Sequence, residues 1–260
     1  MILGEIVAQH LEYRLKQKVD RRLNLGGTLL VHEAIAAGQL DVYPEYTGTA
    51  LTAVLKAGPE PDAAAVFERV RQQYIDRYKL DWLPGLGFDN SFAMVIRKEE
   101  TGGKPLATLS DAEASGSKWR LGVGYEFQSR PDGLPALNRS YKLEMPGTPV
   151  NMDLGLLYRA LEQKQVDLIA ANATDGLLST GRFTVLRDDR KAFPPYEAAL
   201  VVRPDADQRF PGFRKALLEL SGKLSAETMR KLNYEIDGHH KNPADVAAGF
   251  LRSAGLAETK

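Results

Sequence analysis

The sequence predicts an α/β protein of two lobes, and three observations carry that prediction. Short apolar runs alternate with amphipathic, helix-length segments, the pattern of strands feeding helices packed on a mostly parallel sheet. Two of the apolar runs, Ala93-Met94-Val95-Ile96 and Ala198-Ala199-Leu200-Val201-Val202, bracket a block that has its own strands and helices. A chain of 260 residues, 43% hydrophobic and 26% charged, is also long enough for two such bodies. A lobe inserted in another through two strands is a hinge arrangement, with the cleft between lobes as the default ligand site. The expected boundaries are 1–96 with 201–260 for the first lobe and 97–200 for the second.

Each element has its own signal. Ile2, Leu3, Ile6, Val7, Leu11 and Leu15 recur at helical spacing, predicting a helix over 2–17. Val19 to Leu25 reads as a strand. Gly26-Gly27-Thr28 opens a helix through Ala37, with Gly38 at C′. Leu40 to Tyr43 reads as a short buried strand and Asp62 to Tyr78 as an amphipathic helix. Strand 93–96 leads into a polar, glycine-containing segment, Arg97 to Lys104. Thr108-Leu109-Ser110-Asp111 is a helix cap with an acid at N3. Strands follow at Arg120 to Gly124 and Lys142 to Met145, a helix at Asn151 to Lys164 and a strand at Asp167 to Ala171. Three helices close the chain near 210–221, 225–237 and 243–254, the last opened by Asn242 at N-cap and Pro243 at N1.

Composition narrows the function. The formal net charge is zero, so nothing steers the chain toward nucleic acid or an anionic membrane. No run of about 18 apolar residues is present to span a bilayer. Cysteine is absent, which removes disulfides, thiolate metal sites and a cysteine nucleophile. Catalytic and metal patterns fail on inspection. His32-Glu33 begins a zinc-protease pattern, but Ala36 stands where the second histidine is needed. Gly122-Val123-Gly124 starts a dinucleotide fingerprint, but Phe127 replaces the third glycine, and Gly102-Gly103-Lys104 lacks the earlier glycine of a phosphate loop. His239-His240 has no further ligand cluster in sight. No catalytic residue, metal or cofactor is expected, and no enzyme.

The informative segments lie at predicted strand ends, where open α/β sheets bind ligands. The densest is Asp41-Val42-Tyr43-Pro44-Glu45-Tyr46-Thr47-Gly48-Thr49, which packs aromatic, acidic and hydroxyl groups around a helix start. Helix N-termini favour anions and tyrosine faces favour cations, a combination suited to a small zwitterion. Gly87 to Phe92, Ala171 to Gly176 and Phe193 to Glu197 are the others. Taken singly, each is as readily a turn with a packed aromatic.

Together these segments resemble the substrate-binding protein of osmoprotectant ABC importers, which take up glycine betaine, choline, carnitine and related quaternary amines. The likeness rests on DVYPEYTGT at 41–49, GFDNSFAMVIR at 87–97, EFQSRPDG at 126–133, ATDG at 173–176 and DDRKAFPPYEAALVVR at 188–203. The resemblance implies a type II periplasmic-binding-protein fold, an aromatic cage at the cleft, an ABC permease as partner, and a periplasmic or extracellular location. It casts Tyr46 and Tyr196 as cage tyrosines, Thr49 as a carboxylate-binding threonine and Arg130 as the arginine that grips the ligand carboxylate. Phe92 stands where relatives usually carry tyrosine and keeps the π-face. Asn172 stands near a position that is aromatic in many relatives, which implies three aromatic walls rather than four and leaves room for a larger betaine. Relatives also begin with a strand and loop ahead of the Ile2-Leu3-Gly4-Glu5 helix, so a first lobe with an altered sheet edge is expected. A ligand-sensing domain built on the same lobes, or a protein for choline or a larger betaine, are the alternative readings.

Overall fold

The computed structural model of the protein describes residues 1–23, 25–58, 60–98 and 106–258. The chain forms two units, Met1–Asn90 with Pro195–Lys260, and Ser91–Pro194. In the first, α1 (Ile2–Leu15) and α2 (Thr28–Ala36) precede β1 (Val42–Tyr46), then α3 (Thr47–Thr49) running into a π turn (Ala50–Val54), α4 (Ala63–Tyr78) and β2 (Asp81–Trp82). The second holds β3 (Phe92–Arg97), α5 (Leu109–Ala114), β4 (Leu121–Val123), α6 (Tyr125–Ser129), α7 (Leu134–Ser140), β5 (Val150–Asn151), α8 (Leu154–Glu162) and β6 (Leu168–Asn172), then a 3-10 turn (Gly176–Thr180) and β7 (Phe183–Leu186). The chain returns to the first unit through β8 (Ala198–Val202), α9 (Ala206–Arg209), α10 (Phe213–Leu218), α11 (Ala226–Asp237) and α12 (Pro243–Ser253).

The first unit's sheet has the order β1-β8-β2, both pairs antiparallel. β8 is buried along its whole length and sorts its side chains by pleat. Ala198, Leu200 and Val202 enter a core with α1, α10, α11 and α12. Ala199 and Val201 enter a second core with Ile35, Tyr43, Tyr74 and Trp82. Pro44 is tolerated because β1 is an edge strand. The helix predicted over 2–17 docks through Ile2, Leu3, Ile6, Val7 and Leu11 and ends where Lys16 turns left-handed at φ 54.

The second unit's sheet runs β5-β4-β6-β3-β7. β4 is parallel to β5 and β6, while β3 is antiparallel to β6 and β7. β3 sends Met94 and Ile96 to one core and Ala93 and Val95 to the other. Each unit is therefore a sheet with a core on both faces.

Several expectations shift. The mostly parallel sheet is replaced by an antiparallel sheet in one unit and a mixed one in the other, because alternation along the chain does not reveal that β8 inserts between β1 and β2. Residues 19–23 are irregular, not strand. Arg21 ties them to Glu12 at 2.8 Å and Glu5 at 3.2 Å, and Val19 N–H donates to Glu12 Oε1, so polar anchoring replaces a ladder. The strand expected at Leu40 to Tyr43 lies two residues later and takes in Tyr46. Lys142 to Met145 provides a single bridge, Lys118 with Glu144. Asn151 pairs in β5, so α8 starts only after Asp153 caps Gly155 N–H. The unit boundaries fall at 90/91 and 194/195 because β3 is hydrogen-bonded into the second sheet and β8 into the first. Asn24 of the expected 19–25 strand and the Gly102-Gly103-Lys104 stretch lie outside the described residues.

Candidate functional site

In the first unit the Tyr46 segment is the end of an edge strand turning directly into a helix. Tyr46 pairs in register with Ala198, and its ring meets Phe88 edge-on at 6.4 Å. Burial pushes its hydroxyl up to about 12, with the Glu45 carboxylate adding to the shift, so Tyr46 stays neutral. Thr47 N–H donates to Glu197 O at 3.0 Å, and Thr47 Oγ1 accepts from Glu197 N–H at 3.1 Å. Tyr196 is thereby laid beside the same turn. Its N–H donates to Asp89 Oδ2 at 2.6 Å, and its carbonyl accepts from Asn90 N–H at 3.0 Å.

Gly48 explains how close that approach is. A Cβ there would lie 2.6 Å from Pro195 O and 2.8 Å from Tyr196 Cε1. Only glycine lets the helix start lie against the tyrosine ring. Thr52 directs its hydroxyl to Gly48 O at 2.8 Å, while Thr49, one residue beyond Gly48, is half-buried. Tyr46, Thr49 and Tyr196 thus belong to one turn-and-strand cluster.

The second unit gathers the other three candidates. Phe92 begins β3 and pairs directly across from Asn172 at the end of β6. Residues opposed in this way share a face of the sheet. The Phe92 ring meets Phe127 edge-on at 4.9 Å and Phe193 at 5.7 Å. The Arg130 guanidinium stands 5.6 Å from the Phe92 centroid. Arg130 donates from Nε at 2.9 Å and from Nη2 at 2.8 Å to the buried carboxylate of Asp132, which fixes the plane of the fork. Asn172 is held through its backbone: its N–H donates to Asp175 Oδ2 at 3.1 Å, and Tyr158 OH donates to the same oxygen at 3.1 Å.

Sequence reasoning passed over the supporting residues. Phe127 and Phe193 position Phe92, Asp132 orients Arg130, and Gly48 admits Tyr196. All four sit inside quoted motifs, yet nothing in their spacing separates a supporting residue from a contacting one. The failed motifs resolve differently. His32 is buried edge-on against Tyr74 at 5.2 Å and Tyr78 at 4.4 Å, and exposed His239 faces Glu235 at 3.2 Å. Among the described residues no group of three or more His, Asp or Glu side chains is placed to hold a metal ion, and no helix is long and apolar enough to cross a membrane.

Paired α/β units of this kind define a solute-binding protein of the type II periplasmic fold. A solved structure described as a glycine betaine/carnitine/choline ABC transporter matches with a TM-score of 0.89 at 30% identity, covering 98% of this chain and 94% of that one. Residues 1–253 match OpuAC, the substrate binding domain of ABC-type glycine betaine transport systems, and the chain belongs to that family. It is therefore a binding domain and not an enzyme. A glycine-betaine-binding protein of Pseudomonas aeruginosa is 35% identical over 269 residues, spanning 99% of this chain and 85% of the relative. The carnitine transport binding protein OpuCC of Listeria monocytogenes is 31% identical over 261 residues, spanning 100% of this chain and 84% of the relative.

Proposed function

We propose that this chain captures a zwitterionic quaternary amine, of the glycine betaine or carnitine type, outside the cytoplasmic membrane and delivers it to an ABC permease. Tyr46, Tyr196 and Phe92 meet the quaternary ammonium. Thr49 and Arg130 meet the carboxylate end, and Asn172 borders the ligand opposite Phe92. The observation that carries this reading is the pairing of chemistries: tyrosines fixed around Gly48 in one unit, and an arginine aligned by Asp132 beside Phe92 in the other.

A trimethylammonium group donates no classical hydrogen bond. Aromatic faces match its diffuse charge and its apolar methyls, each ring contributing roughly 0.5–2 kcal/mol. A charge-assisted bond from Arg130 adds about 1.5–3 kcal/mol. After ordering costs, these contacts give affinities in the micromolar range.

Calorimetry with glycine betaine, carnitine and choline tests the reading. Glycine betaine and carnitine should bind and choline, lacking the carboxylate, should bind less well. Arg130→Ala should narrow that difference, and Tyr196→Ala should weaken all three at least fivefold, about 1 kcal/mol. Failure of every quaternary amine to bind would overturn the proposed ligand class.

A further inference from the structure

We infer that Glu45 is a positioning residue for the bound cation, a buried carboxyl that gives up its proton when the quaternary ammonium arrives. The inference rests on the proposed ligand class and goes further: it names a residue absent from the contact set and couples binding to protons.

Glu45 is only 3% exposed and immediately precedes Tyr46 on β1. Alternation turns the Glu45 side chain to the Tyr43 face of the sheet and the Tyr46 ring to the other. Across that divide the Glu45 carboxylate accepts the backbone N–H of Tyr46 at 2.8 Å. It is thus tied to the backbone of the cage tyrosine. Few charged groups face it. From β1 itself come the Tyr43 and Tyr46 hydroxyl groups, from α4 Tyr74, and from α2 the Thr28 hydroxyl. Across the sheet β8 offers Ala199. Among the described residues, none of the groups acting on Glu45 is a cation.

The surroundings are polar but incompletely paired. The Tyr43 and Tyr74 hydroxyls are buried without a well-formed hydrogen bond, as are His32 Nδ1 and Trp82 Nε1 in the same core. A carboxylate in such a place has no counter-charge. Burial accordingly pushes Glu45 up to about 7. A quaternary ammonium held at Tyr46 would be the missing counter-charge. It favours the ionised form, lowers the pKa in the complex and releases a proton. By linkage, affinity then rises with pH through the interval between the bound and free pKa values and levels off above about 7. A shift of one unit corresponds to a tenfold gain in affinity.

Two other acids need separating. Glu197 follows Tyr196 and is also raised, by burial and then by the charge of Asp89. His32 is lowered by burial, with Glu33 opposing. The experiment is calorimetry of choline and glycine betaine at pH 5.5 to 8.5, in buffers of different ionisation enthalpy, which counts protons released. Neither ligand exchanges protons across that range. The wild-type chain should release a fraction of a proton near pH 7 and bind several-fold more tightly at pH 8 than at 5.5. Glu45→Gln should bind with no release and a flat profile, while Glu197→Gln and His32→Gln should retain both. Release that survives Glu45→Gln, or binding with no release in the wild type, overturns the inference and leaves the ligand class standing. A carbon-13 titration of the wild-type glutamate carboxyls, needing neither ligand nor variant, gives a second check. A buried glutamate titrating near 7 is expected, moving down when choline is added. If all glutamates titrate below 5.5, Glu45 has no proton to release and the inference is overturned whatever binds.

Discussion

The two units differ in how completely they pair buried polarity, although the first also buries Glu5 against Arg21. The second unit buries charge with partners. Arg97, 6% exposed, donates to Leu161 O, to Val166 O and to Asp167 Oδ1. Hydrogen bonds from Arg120 and then Arg97 hold Asp167 down to about 2. Tyr141, also buried, donates to Asp188 and accepts from Arg190 N–H. Among the described residues of that unit, Asn151 Oδ1 alone is buried without a hydrogen bond. Among its described residues the first unit leaves His10 Nδ1, His32 Nδ1, Tyr43 OH, Tyr74 OH, Asp81 Oδ1 and Trp82 Nε1 in that condition, and no cation is among the groups acting on buried Glu45. A paired buried ion holds a fold in one arrangement. A buried acid with no counter-charge lowers stability.

The largest expected effect breaks the second unit's side of the contrast. Arg97→Ala takes a donor from Val166 O, one of two from Leu161 O, which keeps Lys164 N–H, and one ion-pair partner from Asp167, and should cost about 3–5 kcal/mol. Trp82 reports on the first unit and Trp119 on the second. Single-tryptophan variants followed by fluorescence in urea should show the loss at Trp119. A loss under 1 kcal/mol would mean that this ion pair does not hold the unit together.

Glu45→Gln sharpens the first unit's side, and its sign is opposite. An acid whose folded pKa lies above its unfolded value binds more protons when folded, so stability falls as pH rises from the unfolded pKa to about 7. Below that window the wild type and Glu45→Gln should differ little. At pH 8 the variant should be the more stable by up to about 3 kcal/mol, from a shift of roughly two and a half units. Urea midpoints at pH 5 and 8 measure the difference, and an equal gap at both pH values would remove the proton linkage.

Gly48→Ala comes next. The added Cβ meets Tyr196 and Pro195 O, so the turn must move, at about 1–3 kcal/mol. Binding of glycine betaine should weaken along with stability. A folded variant with unchanged affinity would separate the Gly48–Tyr196 packing from the ligand site. The smallest effect is in the second unit. Thr108→Ala removes the capping box that Thr108 and Asp111 form at α5 and should cost about 1 kcal/mol, with no change in affinity.

Elements with a local cause were legible in the sequence. The Asn242 cap, the Thr108 capping box, the left-handed Gly38 and the apolar stripe of α1 all lie where spacing and cap chemistry put them. The strand expected at 19–25 was not legible. Alternating apolar residues mark it, but Arg21 meets Glu5 and Glu12 and holds its first part as irregular chain. Sheet direction was hidden for a related reason: β8 is remote in sequence from the strands it joins.

The sequence by itself determined which residues are chemically suited to a zwitterion, because aromatic faces, an arginine and a helix start are readable as residue types in a motif. The tertiary structure decided how they are held. It set Tyr196 against Gly48, laid Arg130 on Asp132 beside Phe92, put Asn172 opposite Phe92 and buried the Glu45 carboxyl against the Tyr46 N–H. The physical reason is range. Caps and amphipathic stripes are settled by residues a few positions apart, whereas ring packing, burial and the pKa of a carboxyl depend on neighbours that only the folded chain supplies.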